Sequence, residues 1–309
     1  MIAIDVEARG DLVAARLQRS LGLEPTDLVV LSESDTDPRG ADVLLSGQTE
    51  RERLVSVITP EIRWVHVLQT GVDGFAFDVV TDKILTCSRG ASSVAISEFV
   101  LASMLSFEKR IPEIWIDGAG EWADTHLGQL SGRTLGLVGF GAIGIATAKR
   151  ALAFDMSVVA FRRTDTPSPL PEVTIVSELN DLVSVPDHLV VAAPATGDTR
   201  HLIDARTFES MKTGVHLVNI SRGALVDQDA LLDALDDGRV AMATLDVTDP
   251  EPLTEGHRLY SHPRVRISPH VSWSAPETPR RTMELFEENF RLYVSQQPLN
   301  GVVDKNAGY

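Results

Sequence analysis

Short, nearly unbroken apolar runs recur along the whole chain, and between them the pattern changes to the three- and four-residue spacing of helices. The first series is IAIDV (2–6), LVVLS (28–32), DVLLSG (42–47), WVHVLQTG (64–71) and KILTCS (83–88). From Arg133 a second series follows: TLGLVG (134–139), SVVAFR (157–162), HLVVAAP (188–194), VHLVNIS (215–221), VAMATLDV (240–247) and VRISP (265–269). A strand with one wet face alternates apolar and polar residues, whereas a strand that is apolar throughout must be covered on both faces. Such runs separated by helical patterns predict an α/β fold of doubly wound parallel sheets. A long helical stretch from about Ser93 to Glu108 divides the two series, and IDGAGEW (116–122) then breaks the pattern with Gly118 and Gly120 as a boundary or wrapping arm. An amphipathic helix from about Pro276 to Ser295 closes the chain. A length of 309 residues fits two domains of about 150 residues, each able to bury its own core, with a cleft between them.

The 43% hydrophobic and 23% charged content is that of a soluble globular chain and excludes disorder or a fibrous repeat. The net charge of -16 repels polyanions, so neither nucleic acid nor an anionic membrane is an expected partner, and any anionic ligand must be caught locally. Charges at Asp5, Glu7 and Arg9 interrupt any secretory apolar segment, and no run of eighteen apolar residues occurs. A cytoplasmic location is expected. The single cysteine, Cys87, cannot form an internal disulfide and reads as a packed thiol. No metal site is expected.

Gly139-Phe-Gly141-Ala142-Ile143-Gly144 ends one apolar run and opens the helical run ATAKRALAF. In a dinucleotide-binding turn, Gly139 permits the tight bend, Gly141 lets a pyrophosphate approach the backbone and Gly144 allows close helix packing. Ala142 and Ile143 lie between them, where the helix N-terminus faces the phosphates. The next strand, about 20 residues on, ends in an acidic residue when the ligand is NAD. Here it ends in Arg162-Arg163, whose guanidinium groups favour the 2′-phosphate of NADP through charge-assisted hydrogen bonds. The alternative is that the arginines are solvated and Asp165 reaches back to the ribose of NAD.

Ligands of open α/β sheets bind beyond the carboxyl ends of the strands. Arg222 follows VHLVNIS, Glu251 follows VAMATLDV and His270 follows VRISP, so all three leave one sheet edge. Hydride transfer to a 2-oxo acid needs a cation for the carboxylate and carbonyl oxygens, which a guanidinium fork provides, and an acid to protonate the developing alkoxide, which an imidazole provides. A carboxylate beside the imidazole fixes its tautomer. Each residue alone has a structural explanation, as do the other histidines: His188 and His216 lie in strand runs, and His262 precedes its strand and projects from the opposite edge.

In their order and spacing LGLVGFGAIG, VNISRGALVDQDAL, ATLDVTDPEPL and SPHVS, with fainter matches at LQTGVDGF and SVAISEFVLA, resemble the D-isomer-specific 2-hydroxyacid dehydrogenase family, especially its glyoxylate and hydroxypyruvate reductases. The resemblance runs from about Trp64 to Asn300, roughly three quarters of the chain. It implies that Arg222, Glu251 and His270 are the catalytic trio, that the backbone at Thr70, Gly71 and Val72 cradles the substrate carboxylate, and that Pro194, Asp246 and Ser272 lie near the nicotinamide and adenosine. It also implies a Rossmann nucleotide-binding domain, residues 95–275, inserted in a flavodoxin-like substrate domain formed by residues 1–94 and 276–309. A homodimer made through the nucleotide domain is the family expectation, with the Trp115 to Trp122 arm as the candidate contact, although both tryptophans could equally pack on their own subunit.

The chain departs from the family pattern at two places. Many relatives carry Asp where Arg162 stands, and Trp273 is bulky where smaller residues are frequent, which narrows the pocket toward small substrates such as glyoxylate or hydroxypyruvate. A phosphoglycerate dehydrogenase of the long type, with its appended regulatory domain, is not expected, nor is a formate dehydrogenase, whose Gln stands at the Glu251 position. Two other functions fit the same residues: a nucleotide-sensing corepressor-like binding protein, and a dehydrogenase for another acid such as phosphite.

Overall fold

The computed structural model describes residues 1–309 apart from 7, 8, 33, 48, 49, 164 and 165. Two compact units divide the chain, Met1–Ser92 with Pro276–Tyr309, and Ser93–Ala275.

The first unit carries five strands, β1 (Ile2–Asp5), β2 (Leu28–Val30), β3 (Val43–Ser46), β4 (Trp64–Val67) and β5 (Ile84–Cys87), with helices α1 (Gly10–Leu21) and α2 (Arg51–Val57). All pair in parallel in the order β2-β1-β3-β4-β5, the flavodoxin-like arrangement. Alternate residues of each strand feed separate cores. Ala3, Leu44, Val65 and Leu85 enter one cluster, while Ile2, Ile4, Val43, Leu45 and Trp64 enter the other.

The second unit begins with α3 (Ser93–Lys109) and continues through β6 (Thr134–Val138), α4 (Ala142–Leu152), β7 (Ser157–Phe161), β8 (Val173–Val176), α5 (Leu179–Val183), β9 (His188–Val191), α6 (Ala205–Ser210), β10 (Val215–Asn219), α7 (Gln228–Asp236), β11 (Val240–Leu245), α8 (Arg258–Ser261) and β12 (Val265–Ile267). Its seven strands run parallel in the order β12-β11-β10-β9-β6-β7-β8. The strand order therefore reverses between β6 and β9, and a doubly wound sheet opens its ligand crevice at such a switch point. Leu189 and Val191 pack on one face of the sheet and Val190 on the other, which is why this strand reads as continuously apolar. The chain then returns to the first unit as α9 (Thr278–Val294), whose Phe286 stacks on Trp64 with ring centroids 5.3 Å apart.

Every apolar run forms a strand, and every strand stops before its run does. The trailing residues leave the ladder to build the loops at the carboxyl edge. One strand escaped the sequence reading: β8 is an edge strand with only Val173 buried, so it lacks the long apolar run of a strand covered on both faces. Among the described residues, no helix is long and apolar enough to cross a membrane.

Candidate active site

At the switch point of the seven-stranded sheet, Gly139 directly follows β6 with φ +102, and a Cβ there would lie 2.7 Å from the Ala193 nitrogen. Glycine thus lets the turn press against the end of β9, a contact no other residue permits. Gly144 packs as closely, since its Cβ would meet the Gly139 carbonyl oxygen at 2.5 Å. At Gly141 a Cβ would meet nothing within 4 Å, so the space over the backbone is open. Gly141 is also the N-cap of α4, with no side chain capping that helix, which leaves first-turn N–H groups, those of Ala142 and Ile143 included, to a ligand anion.

Arg162 and Arg163 follow β7. The Nε and Nη2 atoms of Arg162 are buried and, among the described residues, have no hydrogen-bond partner, whereas Arg163 is exposed. A buried guanidinium N–H without an acceptor costs about 1–3 kcal/mol, so Arg162 suits an anion in this crevice. Asp165, the sequence alternative, lies outside the described residues. Pro194 follows β9 and is exposed, its carbonyl accepting the Thr199 hydroxyl at 2.8 Å. The crevice residues together fit a dinucleotide: an open glycine, an uncapped helix and an unsatisfied cation.

The ends of β10, β11 and β12 carry the second part of the site. Buried Asn219 ends β10; its Nδ2 donates to the Arg222 carbonyl at 2.9 Å and its Oδ1 accepts from the Ser221 N–H at 3.1 Å, which shapes the turn that presents Arg222. The Arg222 Nη1 donates to the Ser221 carbonyl at 2.8 Å. Gly223 comes next, and a Cβ on it would lie 1.9 Å from the Thr248 carbonyl carbon. The Arg222 turn and the loop after β11 therefore touch backbone to backbone. Gln228, at the start of α7, clamps that loop twice, donating to the Asp249 carbonyl at 2.5 Å and accepting from its N–H at 3.1 Å.

From this loop Glu251 places Oε1 2.6 Å from Nδ1 of His270, the distance of a charge-assisted hydrogen bond. The His270 backbone has φ +52, a left-handed conformation that costs a non-glycine residue on the order of 1–3 kcal/mol. Asp246, buried at the end of β11, accepts from the Ser268 hydroxyl at 2.5 Å and from the Val271 and Ser272 N–H groups at 2.9 Å each. The Trp273 indole N–H donates to the His270 carbonyl at 2.8 Å. The sequence reading set Asp246 and Ser272 beside the cofactor and Trp273 in the substrate pocket. Their hydrogen bonds tie all three to the His270 turn.

In the other unit, Thr70, Gly71 and Val72 follow β4. The Thr70 carbonyl accepts the Cys87 thiol at 3.4 Å, and its hydroxyl donates to the Ser88 carbonyl at 3.4 Å. Among the described residues the N–H groups of Gly71 and Val72 meet no acceptor, as a carboxylate-binding loop requires. Cys87 is buried, and desolvation raises its thiol pKa, which suits a packed thiol rather than a nucleophile. Among the described residues no group of three or more His, Cys, Asp or Glu is placed to hold a metal ion.

Sequence reasoning named Arg222, Glu251 and His270 and missed Asn219, Gly223 and Gln228, which hold the turn of Arg222 and the loop of Glu251 in place. The available signals were weak: a polar residue ending an apolar strand, and a glycine directly after the arginine.

Residues 101–272 match the profile of the NAD binding domain of D-isomer specific 2-hydroxyacid dehydrogenases. The chain is 30% identical over 300 residues to a glyoxylate reductase of Thermofilum pendens, covering 90% of this chain and 88% of that one. It is 30% identical over 291 residues to a hydroxypyruvate reductase of Blautia hydrogenotrophica, covering 91% and 90%. Among solved structures, a D-isomer specific 2-hydroxyacid dehydrogenase from Xanthobacter autotrophicus Py2, in complex with NADPH and MES, superposes with a TM-score of 0.84 at 26% identity over the whole of both chains.

Proposed function

The chain belongs to the D-isomer specific 2-hydroxyacid dehydrogenase family, and on that premise we propose that it reduces a small 2-oxo acid such as glyoxylate or hydroxypyruvate to the D-2-hydroxy acid with NADPH, using Arg222, Glu251 and His270. The observation that carries this reading is the Glu251 to His270 contact of 2.6 Å at the same sheet edge as Arg222.

When bound, the nicotinamide coenzyme supplies the hydride. Arg222 holds the substrate carboxylate and polarises the carbonyl with its planar fork. With Nδ1–H committed to Glu251, the imidazolium of His270 delivers the proton from Nε2 to the carbonyl oxygen as that oxygen gains charge; in the reverse direction neutral Nε2 accepts it. Glu251 touches neither substrate nor cofactor in this scheme and sets the ring's tautomer and direction.

The unsatisfied Nε and Nη2 of Arg162 favour NADPH over NADH, with Arg163 as a second cation. Charge-assisted bonds of about 1.5–3 kcal/mol each correspond to a preference of roughly ten to several hundred fold. Specificity constants measured with both cofactors test this, and equal values overturn it. A homodimer is part of the same proposal, supported by the exposed apolar arm: Trp115 and Trp122 are 69% and 84% exposed. Sedimentation of the wild type against Trp122→Ser checks it, a monomeric wild type being the contrary result.

A further inference from the structure

The turn that carries His270 is over-determined, and the pattern of its hydrogen bonds assigns work to a residue outside the trio. A left-handed φ at a residue with a side chain persists only where neighbours enforce it. Here the backbone groups on both sides of the His270 Cα are fixed. Its N–H is directed to the carbonyls of Asp246 and Ser268, at 2.9 and 3.0 Å. The next two N–H groups, of Val271 and Ser272, both end on the buried Asp246 carboxylate. That leaves the His270 carbonyl, which accepts the Trp273 indole N–H at 2.8 Å. A further bond, from the Ser274 N–H to the Val271 carbonyl at 2.8 Å, closes the turn that brings Trp273 round. Were the peptide after His270 to rotate, the imidazole would swing off Glu251, whose contact at 2.6 Å defines its direction.

We infer that Trp273 is a positioning residue for His270: its indole N–H latches the left-handed turn from one side as Asp246 latches it from the other, and it acts through His270 rather than as a wall of the substrate pocket. This rests on the reading of His270 as the proton donor. The indole is a donor with no acceptor, and a carbonyl that must be held is what such a group serves. The ring is 48% exposed, so removal of the N–H alone leaves the core of the domain untouched.

Trp273→Phe keeps an aromatic ring and deletes the donor. In steady-state reduction of glyoxylate or hydroxypyruvate at saturating NADPH, the loss of one neutral hydrogen bond in the turn should lower kcat about threefold to tenfold while KM for the oxo acid stays within about twofold of the wild type. A wall residue behaves in the opposite way, moving KM and sparing kcat. The second readout needs no substrate. In alkaline buffer, the ring nitrogens of 15N-labelled His270, assigned by their loss in His270→Gln, should show the Nδ1–H tautomer in the wild type and a mixture of tautomers in Trp273→Phe. A changed KM with unchanged kcat, or ring nitrogens identical in the two proteins, overturns the inference. If the wild type reduces no 2-oxo acid, the functional reading falls, and the nitrogen spectra of the free protein decide the positioning claim alone.

Discussion

Charge alone is not what Arg222 contributes. A lysine would keep the positive charge, but as a point charge it cannot span a carboxylate and a carbonyl oxygen together. Arg222→Lys should therefore lose about a hundredfold or more in kcat/KM for the oxo acid, comparable to removing one preorganised donor, with its unfolding midpoint unchanged. Nearly normal turnover would show that Arg222 is not the substrate anchor. At this scale the sequence was informative about residues that face outward from a sheet edge, because Arg222, Glu251 and His270 each follow an apolar strand. It was silent on how they are aimed. Asp246 is an acidic residue after an apolar strand, as an active-site residue would be, yet its carboxylate is spent on Ser268, Val271 and Ser272. Its partners lie 22 to 26 residues away in sequence and meet it only in the folded chain.

At the scale of elements, the glycines divide by what stands in front of them. A Cβ on Gly223 would strike the Thr248 backbone at 1.9 Å, whereas one on Gly141 would meet nothing within 4 Å. The two substitutions should separate stability from binding. Gly223→Ala should lower the free energy of unfolding by about 1–3 kcal/mol or more, the usual penalty for forcing atoms into a packed site, measured as a shift of the urea midpoint. Gly141→Ala should leave that midpoint in place and weaken NADPH binding by at least tenfold in a fluorescence titration, because its methyl occupies the approach to the helix N-terminus. The reverse pattern would contradict the assignment of the α4 turn to the coenzyme. The glycine motif was readable because strand, turn and helix adjoin in sequence. The role of Gly223 was not, because its partner Thr248 is remote in sequence and meets it only when β10 and β11 pair. The ends of strands were over-read for a related reason: residues such as Ile220 and Val247 continue an apolar pattern while already lying beyond the ends of β10 and β11.

For the molecule as a whole, buried histidines in both units should set the acid limit of stability. Within the first unit, desolvation lowers the pKa of His66 to about 3, its ring lying between Thr86 and Ser88 at 2.8 and 3.2 Å. The second unit holds a chain from Glu108 through His188 and His216 to Thr244, with steps of 3.1, 3.2 and 3.0 Å. Burial lowers His188 to about 4 and His216 well below its ordinary value. These rings are neutral when folded and take protons when unfolded, so their contribution is complete above about pH 6.5 and is lost as pH falls toward the folded values. By pH 4.5 each of His66 and His188 should cost roughly 2–3 kcal/mol. Burial raises the carboxyl of Glu108, and its protonation offsets part of that loss. Urea midpoints measured across this range should fall steeply below pH 6, and His188→Gln should flatten the decline; a wild-type midpoint constant from pH 7 to about 4.5 would contradict it.

Reduction of a 2-oxo acid at this sheet edge, as proposed, should give a product of one hand. Hydroxypyruvate incubated with NADPH, followed by chiral analysis of the glycerate formed, tests it most directly. D-glycerate should form in amounts equal to the NADPH consumed, with none above background from His270→Gln. L-glycerate, or NADPH oxidation by His270→Gln at the wild-type rate, would contradict it.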